Sequence, residues 1–131
     1  MKEKKTIADV LAFAVEQFKA ANIRNAKIEA GPIISSYATM NVRRSFGIEG
    51  TITVRASTFR PTETATGECE LNMVPTVEVS FVGSQRDVVR ATAFMHLVNE
   101  LTLLAASLQA QIDEFEVVEV ISTAKQANAS T

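Results

Sequence analysis

Residues 46–59 read FGIEGTITVRASTF. Phe46, Ile48, Ile52, Val54 and Ala56 fall on one parity, and Glu49, Thr51, Thr53, Arg55 and Ser57 on the other. Side chains alternate faces along a strand, so the pattern predicts a strand with one dry face and one wet face. Residues 68–81 repeat it. Cys69, Leu71, Met73, Val77, Val79 and Phe81 point inward, with Glu68, Glu70, Asn72, Thr76, Glu78 and Ser80 outward. The turn-rich stretch 60–67 (RPTETATG) joins the two, and the pair reads as an antiparallel hairpin. Pro75 has no N–H to give a ladder, so this strand needs a free edge or a bulge there. The two glycines of FGIEG suit a bulge or a close backbone approach better than a phosphate cradle.

Upstream of the hairpin, Thr6 followed by Asp9 resembles a capping box. Ile7, Val10, Leu11, Ala14, Phe18 and Ala21 then recur at spacings of three and four, which predicts a helix over 7–21 with Asn22 as its stop. Residues 26–35 (AKIEAGPIIS) read as an edge strand ended by Pro32, and 36–45 stays open between loop and strand. Downstream, Ser84 with Asp87 repeats the cap signature ahead of a helix over 85–112. Phe94, Leu97, Leu101, Leu104 and Leu108 form a seam of coiled-coil spacing on it. Val88, Ala91, Met95, Val98, Thr102 and Ala105 form a second, smaller stripe beside the first. Together they exceed the apolar arc of about 100° that packing on one sheet requires, so the Phe94–Leu108 seam is expected to meet a second subunit. Residues 115–122 (FEVVEVIS) predict a last strand.

The predicted fold is α+β: an antiparallel sheet of about four strands, in the order α-β-β-β-α-β, packed with an N-terminal helix and one long C-terminal helix. A single domain is expected over 1–122, with a disordered polar tail over 123–131. The lysines ahead of residue 6 imitate a signal peptide. However, Asp9 and Glu16 interrupt the apolar stretch and no cleavage site follows. With no run of 18 apolar residues, a membrane span is not expected, and the cytoplasm is the expected compartment.

One cysteine and one histidine exclude an internal disulfide, a multi-cysteine knuckle and a two-histidine zinc site. No nucleotide-loop, hydrolase or metalloprotease motif occurs, so no catalytic residue, metal or cofactor is predicted. His96 and Cys69 suit packing positions, and Glu68, Glu70 and Glu78 suit a wet strand face.

The net charge of −2 hides an asymmetry. Segment 24–60 carries a surplus of four positive charges, and 61–131 a surplus of seven negative ones. Arg43, Arg44, Arg55 and Arg60 flank or ride the first long strand with Thr53 and Ser57, and Arg86 and Arg90 open the long helix. Guanidinium forks and hydroxyls match phosphate oxygens, and a helix start favours anions. These residues are the candidate ligand site. The function expected is an oligomeric, non-enzymatic protein holding a nucleotide, a cyclic oligonucleotide or a short single strand. Its size and lack of catalytic motifs suit a phage-type sequestering or inhibitor protein, although no motif carries that. Three alternatives stand beside it: a protein-interaction module without a small ligand, an enzyme using carboxylates or arginines alone, and arginines merely paired with Glu49 and the opposite strand's Glu68, Glu70 or Glu78.

Overall fold

A computed structural model describes residues 2–34, 36–63 and 68–122, with side chains described outside 57–63, 68–71 and 120–122. The predicted tail, 123–131, lies outside the described residues. The elements are β1 (Glu3–Lys5), α1 (Ile7–Ala20), β2 (Lys27–Ala30), β3 (Tyr37–Arg43), a 3-10 turn (Ser45–Gly47), β4 (Glu49–Glu63), β5 (Glu68–Val82), α2 (Val88–Ile112) and β6 (Phe115–Ser122). They form one mixed sheet in the order β1-β6-β5-β4-β3-β2, with β1 parallel to β6 and the other pairs antiparallel. This corrects the expected antiparallel sheet of about four strands. Segment 36–45 resolves into β3, and β1 adds a parallel edge strand.

Both helices lie on one face of the sheet. In a flat sheet β2 and β6, four spacings apart, would stand about 19 Å from each other, wider than a helix of about 10 Å. Yet α1 touches both of them, as well as β3 and β4. The sheet therefore curls around α1 into a half-barrel. Val10, Leu11, Ala14 and Phe18 of α1 fill the hollow against Ala38, Met40 and Val42 of β3 and Ile52 and Val54 of β4. Burying a side chain such as Phe18 contributes about 2–3 kcal/mol. The Thr6–Asp9 capping box forms as predicted, and Glu119 of β6 accepts from the Ile7 N–H at 3.0 Å, tying the helix start to the sheet. The chain leaves α1 at Ala21 in an extended conformation, so Asn22 is not its left-handed stop; Asn25, at φ 57°, takes that conformation instead.

The hairpin is longer than expected. β4 continues to Glu63, so Pro61–Glu63, read above as loop, pairs with β5 after a register shift between Thr58 and Pro61. Pro75 has its free edge: β5 meets β6 only over Glu68–Asn72, and beyond that it has β4 on one side and no strand among the described residues on the other.

α2 returns along β5. Its start is Asp87 rather than Ser84, because Asp87 Oδ1 accepts the Arg90 N–H at 2.8 Å while Ser84 only receives the Arg86 N–H at 3.4 Å. Gly50 and Gly83 let it sit close, since a Cβ on either would collide with Leu101 or Phe94 respectively. Leu97, Leu101 and Leu108 are buried against the sheet, with Phe94 and Leu104 half-buried beside them. The seam expected to meet a second subunit is thus largely the subunit's own interior, because α2 packs closely along β5 and β4. The apolar excess lies elsewhere: Val88 is 80% exposed, Met95 48% and Leu103 72%. By length and composition α2 could cross a membrane. Leu97, Leu101 and Leu108 pack on the sheet, and Glu100, midway along the helix, binds an arginine.

Candidate functional site

The candidate arginines whose side chains are described do not converge on one site. β3 ends on Arg43, and because neighbouring residues face opposite ways, Arg43 and Arg44 part company. Arg43 points to the outer face and pairs with Glu49, directly across on β4, at 3.0 Å. Arg55, on the same face, pairs with Glu78 of β5 at 3.6 Å. Thr53 lies between Thr39 and Glu78. These are the cross-strand pairs of a solvated face. Ser57 and Arg60 have side chains outside the described residues. Arg86 is exposed beyond the helix start.

Arg44 turns the other way, to the helix side. Its side chain is only 14% exposed, and one terminal nitrogen donates both to Glu100 of α2 and to the backbone carbonyl of Arg24, the latter at 2.8 Å. Its Nε is buried without a hydrogen-bond partner among the described residues. A buried guanidinium N–H left unmatched is costly. Arg44 forms one wall of a cleft of about 500 Å³ shared by Arg24, Asn25, Ser45, Phe46, Ala93, His96 and Glu100. The cleft therefore lies where the loop after α1, the 3-10 turn and the middle of α2 meet.

Two residues on its rim hold left-handed backbone. Asn25 tolerates it, but Phe46, at φ 65° and ψ 23°, is a bulky residue in a region that disfavours it. Strain of this kind clusters at ligand sites. The Phe46 ring is half in solvent and lies 5.4 Å from the Arg90 guanidinium, whose NH1 also pairs with Asp87 at 2.8 Å. Arg90 thus reaches the cleft rim through stacking. The cleft gathers Arg24 and Arg44 against Glu100, with His96 beside them and Arg90 behind the Phe46 ring.

Of the predicted ligand residues whose side chains are described, Arg44 lines the cleft and Arg90 backs its Phe46 wall. Arg24, Asn25 and His96 were missed, and the first two stand in a loop with no motif of their own. Phe46 was assigned to the dry face of a strand, and the turn through Gly47 (φ 68°) removes it from that parity. Ser45, His96 and Glu100 share the cleft, but no hydrogen bond joins Ser45 to His96 among the described residues, and Glu100 is engaged by Arg44. Among the described residues no three of His, Cys, Asp and Glu group as metal ligands. No protein-family model, curated protein or solved structure matches the chain significantly.

Proposed function

We propose that this protein is a non-enzymatic binder of a small anionic ligand with a planar ring, most simply a single nucleotide, held in the Arg24–Arg44–His96 cleft. One observation carries the reading. Arg44 is fixed in the wall by Glu100 and the Arg24 carbonyl, with an unsatisfied Nε, while Arg24 stands exposed beside it. Guanidinium groups held in place recognise phosphate or carboxylate oxygens at low entropic cost. The exposed Phe46 ring, backed by Arg90, offers a stacking surface for a base. The volume lies within the usual range for small-ligand sites. A single aromatic on the rim favours one base over an extended strand. The engagement of Glu100 with Arg44 favours binding over Ser45-based hydrolysis.

The test is a thermal-shift and calorimetric panel of nucleotides, cyclic nucleotides, short oligonucleotides and inorganic phosphate. A true ligand at 100 times its dissociation constant raises stability by about 2.7 kcal/mol. Arg24→Glu should abolish the shift without altering the unliganded midpoint, and Arg55→Glu, on the outer face, should leave binding intact. Loss of binding in Arg55→Glu, with Arg24→Glu unaffected, would return the site to the sheet. A second reading, a protein-interaction module, draws on the uncovered apolar side of α2. It replaces the first if no anion shifts the midpoint and a pulldown returns one stoichiometric partner.

A further inference from the structure

The edge of β5 has a row of backbone groups that its own chain answers only in part. Gln109 of α2 accepts the Val77 N–H at 2.8 Å and donates to the Pro75 carbonyl at 3.1 Å. Those bonds show which residues face away from β4, and by alternation Val79 and Phe81 face the same way. The amide of Gln109 does for one position what a neighbouring strand would do for all. Past it, the backbone of Val79 and Phe81 meets no strand among the described residues. Such an edge is a template for pairing with another chain.

We propose that a second copy of this chain docks there, β5 against β5 in antiparallel pairing, with the two α2 helices side by side under the joined sheet. Three observations select a second copy over a foreign strand. The first is the side of α2 turned to this edge. At about 100° per residue, Gln109 lies about 120° round the helix from Leu97, and Ala91, Val98, Thr102 and Met95 lie within about 40° of Gln109. This is the small, uncharged stripe, with Met95 about half exposed. A lone peptide strand would leave it bare, whereas an identical subunit brings a matching stripe.

The second observation is charge. Arg86, ahead of α2, is exposed, and its guanidinium has no partner among the described residues, while Asp113 and Glu114 stand exposed at the other end. Antiparallel helices bring each Arg86 toward the opposite copy's Asp113 and Glu114, and two-fold symmetry makes that contact twice. Between residues 91 and 112 the only charged residue is Glu100, already paired with Arg44. The third is register. Gln109 lies beside Val77, and Phe94 packs edge-on against Phe81 with centroids 6.1 Å apart. Val79 is therefore level with Leu101 and Thr102. An axis through Val79 sets Thr102 near Thr102 and places Glu78 opposite Ser80, so no like charges oppose each other across the strands.

Sedimentation equilibrium on the full chain should give a dimer. Thr102→Glu and Ser80→Glu, both at exposed positions, should each raise the dimer dissociation constant about tenfold or more, with unchanged circular dichroism. Leu103→Glu, about 100° further round the helix, should leave the mass unaltered. Arg86→Glu should weaken the dimer, and adding Asp113→Arg with Glu114→Arg should restore it. Amide exchange at Val79, the outward-facing pair that this axis leaves clear of Gln109, should slow as concentration rises, while Val77 stays constant. A strict monomer at high micromolar concentration overturns the proposal. So does a dimer broken by Leu103→Glu but not by Thr102→Glu, or one that leaves Val79 exchange unchanged. Arg24 and Arg44 lie on another side of α2, so the nucleotide panel and these measurements can fail independently.

Discussion

Phe46 concentrates the local cost of the cleft. Its left-handed backbone brings Cβ against the following carbonyl, a clash worth about 1–2 kcal/mol in a non-glycine residue. Phe46→Ala and Phe46→Gly both remove the ring and its stacking with Arg90, but only glycine also relieves the backbone. Urea denaturation should therefore find Phe46→Gly more stable than Phe46→Ala by about 1 kcal/mol; equal midpoints would mean the conformation carries no strain. At this scale the sequence was half legible. The wet and dry parities of 51–55 hold, with Ile52 and Val54 fully buried. The doublet Arg43-Arg44 gives no hint that one arginine pairs on a sheet face while the other anchors in a cleft. That distinction depends on where the strand ends and on Glu100, more than fifty residues away.

Among the elements, α2 shows where periodicity informs and where it misleads. The seam and the stripe were both visible, and the helix end at Ile112 agrees with the reading. What covers each stripe was not visible, because a strip of leucines looks the same whether a sheet or another subunit lies on it. The start was misplaced because Ser84 and Asp87 are both good caps, and the choice rests on which side chain reaches a free N–H. Asp87→Ala should cost about 1 kcal/mol by thermal or chemical denaturation, and Ser84→Ala only a few tenths. The reverse order would move the cap back. β1 was not legible at all. Three residues carry no period, and their pairing with Phe115–Val117 spans the whole chain.

At the scale of the molecule, β1 extends one edge of the sheet by pairing the first described strand with the last. Truncation of residues 1–5 removes a short parallel ladder and the Lys5 contact with the Phe115 ring, but leaves the Phe18–Met40–Leu101 core in place. The expected loss is about 1–3 kcal/mol in urea, with the denaturant slope nearly constant. Complete unfolding would make β1 part of the core rather than its border. The curl of the sheet was beyond any reading of separate segments, since it appears only when α1 is found touching both β2 and β6. Within it, α2 serves three neighbours from three sides: leucines to the sheet, Glu100 to Arg44, and Gln109 to the β5 edge. A rod so committed has little freedom to drift. Neutral variation is expected on the solvent strip of Thr92, Asn99, Leu103, Ala106 and Ala110, whereas a change at Leu101, Glu100 or Gln109 disturbs the element each one holds.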